Sequence, residues 1–278
     1  MTRALVLGGG GVTGIAWELG VLAGLSDAGV ALTSADLVIG TSAGSTVGAQ
    51  ITSGATLDEL LAAQMTPTSE SKEIAVDLDF DRLAEIFGVL YDESVDPLLR
   101  RRLVGEMARS TETVAESVRR EVIETRLPST EWPTATPLVL IAVDANSGEW
   151  VRFDRDSGVS LIDAVAASCA VPGVWPPVTI DGRRYVDGGV RSSTNADLAE
   201  GHDKVLVLTP LGEAMAIQVK DEVSSLIEAG ASVTVLAADE EALAAMGPNP
   251  LDPELRAAAA EAGRRQGLAE AERVAAWW

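Results

Sequence analysis

The chain has 278 residues, 47% of them hydrophobic and 23% charged, enough apolar content for a sizeable core. A formal net charge of −21 repels nucleic-acid phosphates and anionic lipid headgroups, which argues against a nucleic-acid partner and against electrostatic membrane recruitment. The single cysteine, Cys169, excludes an intramolecular disulfide and fits a reducing, cytoplasmic setting.

In chain order, "RALVLG" (3–8) reads as a buried strand, followed by a glycine run and a helical period closed by Gly29. The start is too short and glycine-rich for a signal peptide, and Glu18 interrupts the apolar residues beyond it. No run of about 20 apolar residues reads as a transmembrane helix. "DLVIG" (36–40) is a second buried strand with a helix after it. Two strand-turn-helix units in succession predict a parallel sheet with helices on its faces.

Residues 56–130 are charged, amphipathic and helical, and read as an insertion within one domain spanning 1–278. "PLLRRRLVGEMARSTETVAESVRREVIETRL" reads as one helical stretch of it. Asp77, Asp79 and Asp81 alternate like a metal loop but lack the glycine and closing glutamate of a calcium site, so they read as surface. "PLVLIAVD" (137–144) resumes the sheet, with Asp144 at its functional end as a local structural residue. "ANSG" turns into a hairpin, and Asp181-Gly182 predicts a second hairpin of type I′. "KVLVLTP" (204–210) and "SVTVLAAD" (232–239) complete the strands. The last segment reads as a surface helix ending in a packed or frayed Trp277-Trp278.

Gly40-Thr41-Ser42-Ala43-Gly44 matches GxSxG at a strand-to-helix turn. Such a turn exposes Ser42 at the sheet edge and aims a helix N-terminus at it. The plainer reading makes Ser42 or Thr41 a helix N-cap. Gly8 to Gly11 end the first strand, and their amides can cradle a developing oxyanion if the two strands are neighbours. Gly9, Gly11 and Gly14 also fit GxGxxG, but the second strand ends in Gly40-Thr41-Ser42 where a ribose-binding acid is needed. His202 is the only histidine, and Ser42, Asp187, His202 are in the α/β-hydrolase order. His202 precedes a strand, however, so it belongs at the opposite sheet edge, about 17–20 Å from a site at the C-terminal ends. The candidate base is then Asp187, just past a strand and followed by two glycines; an ordinary turn residue is the alternative.

"GGGVTG" (9–14), "GTSAG" (40–44), "ASCAVPGVWPPV" (167–178) and "DGG" (187–189), in that order, resemble the patatin-like phospholipases, lipid acyl hydrolases with a Ser-Asp dyad. The resemblance implies a three-layer α/β/α sandwich with a mainly parallel sheet. It makes Ser42 the nucleophile, Asp187 its base, and Gly9, Gly10 and Gly11 the oxyanion donors. It implies no metal, and no cofactor is expected. Thr13 departs from the family, which often has Lys or Arg there, and this puts a phospholipid preference in doubt. Trp175 is a candidate for the acyl pocket or for the core, and Cys169 for a buried helix end. The expected function is hydrolysis of lipid or other carboxylic esters, with transient contact at a membrane surface. Two alternatives stand: a patatin-fold protein that binds lipid or a partner without turnover, and a Ser-Asp-His hydrolase using His202.

Overall fold

The computed structural model describes residues 1–212 and 217–278. The first apolar run forms β1 (Arg3–Leu7), which leads into α1 (Gly11–Asp27); β2 (Leu37–Gly40) and α2 (Ala43–Ile51) repeat the unit. The amphipathic stretch then forms α3 (Leu57–Gln64), α4 (Phe80–Leu90), α5 (Pro97–Ser110) and α6 (Glu116–Arg126). The sheet resumes with β3 (Leu138–Asp144) and β4 (Trp150–Phe153), and α7 (Leu161–Ser168) precedes the hairpin of β5 (Val178–Ile180) and β6 (Arg183–Asp187). The chain continues through β7 (Lys204–Thr209), α8 (Ile217–Glu228), β8 (Ser232–Ala237), α9 (Glu240–Met246) and α10 (Arg256–Trp277).

The strands form one sheet in the order β5-β6-β3-β2-β1-β7-β8, with β4 also against β3. Strands β3, β2, β1, β7 and β8 run parallel, while β4 and β6 pair antiparallel with β3. From β1 the chain moves outward to β2 and β3, then returns to β7 on the other side of β1. The strand order therefore reverses at β1, and the crevice at its C-terminal end is where open α/β sheets hold ligands.

Alternation along the strands decides the layers. Leu5, Leu7, Leu140, Leu206 and Leu208 pack with Trp17, Val47, Val165 and Ala260 of the helices on one face. Ala4, Val6, Ile39, Ile141, Val205 and Val207 pack with Ala196, Val219 and Leu226 on the other. This is a three-layer α/β/α sandwich with a mainly parallel sheet. The helices of 56–130 divide between its two sides. Leu60 and Leu61 of α3 and Ile123 of α6 join the first core, whereas Ile86 and Leu90 of α4 and Val104 and Ala108 of α5 pack on Val143 and Val186. The stretch expected to be continuously helical from 97 breaks between α5 and α6. Thr111 and Ala115 are extended, and the Thr111 hydroxyl donates to the Met107 carbonyl at 2.8 Å, competing with the next helical turn.

The last helix is not a surface helix. α10 lies backbone to backbone on α1, because Gly20 and Gly24 face Gly263 and Gly267. A Cβ at Gly20 would stand 2.2 Å from the Ala260 carbonyl oxygen, and one at Gly263 would stand 2.2 Å from that of Trp17. Its end is packed: Trp278 is buried and Trp277 Nε1 donates to Ser232 Oγ at 2.6 Å.

Candidate active site

The link between β2 and α2 is Thr41-Ser42, and its strain falls on Ser42. Ser42 has φ 53 and ψ −114, outside the regions open to most side chains. Such a residue costs about 1–3 kcal/mol and persists only when its surroundings hold it. They do so here from several directions. The Ser42 amide donates to Ser168 Oγ at 3.0 Å. Its carbonyl accepts from Ser45 Oγ at 2.6 Å and from the Cys169 thiol at 3.1 Å. Both glycines of the motif are needed for close approach rather than for their dihedral angles. A Cβ at Gly44 would sit 2.1 Å from the Leu7 carbonyl oxygen, and one at Gly40 would sit 2.5 Å from that of Gly44.

Ser42 Oγ donates to Asp187 Oδ2 at 2.7 Å. Asp187 closes β6, which lies antiparallel to β3 with Ala142 opposite Asp187. The β5-β6 turn has the expected form, with φ 49 at Asp181 and φ 77 at Gly182. The other carboxylate oxygen accepts the Gly189 amide at 2.7 Å. Both side chains are buried. Burial pushes the Asp187 pKa up to about 7, against the opposing pull of the Ser42 and Gly189 hydrogen bonds and the Arg119 charge. A carboxylate in that range is a competent proton acceptor near neutral pH.

Asn195, which the motif reading missed, ties the two halves together. It is fully buried with a left-handed backbone, φ 54. Its Nδ2 donates to Thr41 Oγ1 at 2.9 Å and to the Ser192 carbonyl at 2.8 Å, while Arg191 Nη1 donates to its Oδ1 at 2.6 Å. The signal was a polar run, "RSSTNAD", too hydrophilic for a buried segment unless its groups bond one another.

The glycine loop lies beside Ser42, since Leu7 of β1 is in register with Gly40 of β2. A Cβ at Gly9 would be 3.5 Å from that of Ser42. Gly9 nevertheless drops out as an oxyanion donor, because its amide already donates to the Ser193 carbonyl at 2.8 Å. The amides of Gly10, Gly11 and Ala43 make no hydrogen bond among the described residues. Neither α1 nor α2 has an acidic first turn or a side-chain cap, so two uncapped helix N-termini converge on Ser42. Beneath the loop, the buried Glu18 accepts the Gly8 amide at 2.8 Å, and desolvation holds its pKa well above the usual carboxylate range.

Of the remaining candidates, His202 sits just before β7, its Nδ1 paired with the Ala199 carbonyl at 3.1 Å, at the edge opposite Ser42. Asp144 accepts the Asn146 and Ser147 amides at 2.8 and 3.0 Å, a local turn. Asp79 caps α4. Thr13 is buried, and its hydroxyl donates to the Pro250 carbonyl at 3.3 Å. Trp175 is buried beneath the Arg119 guanidinium, 3.8 Å from ring centre to cation. A cavity of about 290 Å³ opens beyond Val12 and Ile15, lined by Gln50, Lys72, Glu73, Arg126 and Arg256, and Trp175 is not on its wall.

Residues 5–200 match the family described as patatin-like phospholipase, more than half of the chain. The chain belongs to the patatin-like phospholipase family. Among solved structures this patatin-like chain is similar to VipD from Legionella pneumophila at 18% identity and a TM-score of 0.45, over 98% of this chain and 67% of that one. It is also similar to the type III effector protein ExoU at 15% identity and a TM-score of 0.44, over 98% of this chain and 53% of that one. Membership supports lipid acyl hydrolysis as the general activity. No helix among the described residues is long and apolar enough to cross a membrane.

Proposed function

We propose that this patatin-like chain, as one domain of residues 1–278, is a serine acyl hydrolase working through Ser42 and Asp187. The observation that carries the reading is the 2.7 Å hydrogen bond from a strained, buried serine to a carboxylate whose pKa lies at about 7. Ser42 Oγ attacks the ester carbonyl carbon as its proton passes to Asp187. The carbonyl oxygen becomes an oxyanion held by the free amides of Gly10, Gly11 and Ala43, aided by both helix ends. Collapse breaks the carbon–oxygen bond, and Asp187 returns its proton to the leaving alkoxide. A water then gives a proton to Asp187 as it attacks the acyl-serine, and collapse breaks the bond to Ser42 Oγ, which takes that proton back from Asp187 as the acid leaves.

Phe80 and Phe87 of α4, Tyr91 just after it, and Leu98, Leu99 and Leu103 of α5 are exposed and supply apolar contact with a lipid surface. With a net charge of −21, a neutral or zwitterionic surface fits better than an anionic one. The test is a p-nitrophenyl ester chain-length series with fluorophosphonate labelling, on wild type and Ser42→Ala. Turnover and labelling are expected in wild type and absent in the variant, whose circular dichroism stays unchanged. Retained turnover in the folded variant refutes the assignment, and its absence in wild type favours a binding protein.

A further inference from the structure

Arg119 is a buried cation that forms no ion pair among the described residues. It lies in α6 with 5% of its surface exposed. Among the described residues its Nε and Nη1 find no acceptor, and neither does Nε1 of Trp175, the ring it stacks on at 3.8 Å. Two carboxylates are close enough to act on its charge, Glu73 and Asp187, and both are engaged elsewhere. Glu73 forms a bidentate pair with Arg126 at 2.6 and 2.7 Å. The Asp187 oxygens take the Ser42 hydroxyl and the Gly189 amide. Burial and the Arg126 charge pull the Arg119 pKa down to about 9, so it remains a cation at neutral pH.

The side chain is also held in place. One turn earlier, Glu116 accepts the Thr179 amide at 2.7 Å and its hydroxyl at 3.0 Å. One residue later, Arg120 Nε donates to Asp163 at 2.9 Å. The segment carrying Arg119 is thus clamped both to the β5-β6 hairpin that carries Asp187 and to the helix that supports Ser42. Desolvating a guanidinium and leaving it unpaired is costly, and the cost is recovered only when an anion arrives. Thr13 brings no positive charge to the glycine loop, and the cation whose charge acts on Asp187, Arg119, comes from α6.

We propose that Arg119, with the Trp175 indole N–H, binds an anionic oxygen group of the substrate. The shared chemistry is a singly charged oxyanion, either the phosphodiester of a phospholipid or a free carboxylate on a monoester. The inference builds on the hydrolase reading and deepens it to a substrate class.

Matched esters test it in wild type, Arg119→Met and Arg119→Lys: neutral p-nitrophenyl butyrate, the carboxylate-bearing p-nitrophenyl hydrogen glutarate, and a short-chain phosphatidylcholine against the corresponding diacylglycerol. The KM preference for the charged member of a pair should fall roughly tenfold or more in Arg119→Met, and Arg119→Lys should restore part of it. Loss in the glutarate pair alone assigns a carboxylate; loss in the lipid pair alone assigns a phosphodiester. A KM that changes equally for charged and neutral esters, or an unchanged preference, overturns the proposal. Calorimetric titration of wild type with inorganic phosphate and with glutarate provides a readout independent of turnover and of how the variants fold. Binding that the folded Arg119 variants weaken supports the site even if no ester is cleaved, which would count against the hydrolase reading alone. A wild type that binds neither anion and shows no charged-ester preference overturns the site.

Discussion

Replacing Asp187 by Asn should stabilise the folded chain at alkaline pH while abolishing hydrolysis. The buried carboxyl has a pKa of about 7, against 3.8 for a free aspartate. Between those values the folded chain still holds the proton that the unfolded chain has released. Stability therefore falls as pH rises through that window, by about 4 kcal/mol in full and by about 2.5 kcal/mol between pH 5 and pH 8. Asparagine matches the neutral acid in shape and can still bond to Ser42, but it carries no charge to desolvate. Glu18 and Glu222 also have raised pKa values, yet their effects are common to both proteins and cancel in the difference. Urea denaturation at pH 5 and pH 8 reads that difference directly. Asp187→Asn should gain about 2.5 kcal/mol on wild type between the two conditions. An unchanged difference, or one of opposite sign, would show that the carboxylate is ionised at little cost and would remove the basis for calling it a base.

Three further results are expected. With a neutral ester, kcat/KM should fall about tenfold per unit as pH drops below about 7 and level off above it, because only unprotonated Asp187 accepts the serine proton; a profile flat down to pH 5 contradicts this. His202→Ala should leave kcat/KM near wild type, since the ring is at the far edge of the sheet; a loss of several orders of magnitude would revive a triad. Gly44→Ala should destabilise the fold by about 3 kcal/mol in denaturant titrations and abolish activity, because its methyl would meet the Leu7 carbonyl at 2.1 Å; a variant as stable as wild type would show that strand and helix can separate freely.

The strands, the serine turn and the second hairpin were legible because each is written locally. Continuous apolar runs give the parallel strands, and Asp181-Gly182 gives the turn that delivers Asp187. What local pattern cannot show is which distant group takes a given hydrogen bond. Gly9 looked like a free donor until the loop after Asp187 brought the Ser193 carbonyl to it. Nothing in the local pattern separates Asn195 from an ordinary loop residue, or the buried Arg119 from Arg120 beside it. The break at 111–115 was carried by Thr111, Thr113 and Val114, residues stiff at χ1 and ready to leave a helix. The final helix misled for a related reason. Its glycines pair with glycines more than two hundred residues earlier, and only their joint spacing betrays the seam.

That seam joins the tail of the chain to the glycine loop through a rigid rod. α10 lies beyond the segment shared with the family, yet it forms one wall of the helix whose first turn faces Ser42. A methyl added at residue 263 or 267, or a fusion that pries the tail away, would tilt that rod and disturb amides far from the alteration. The surroundings of Ser42 are in this sense geared to a helix more than two hundred residues away.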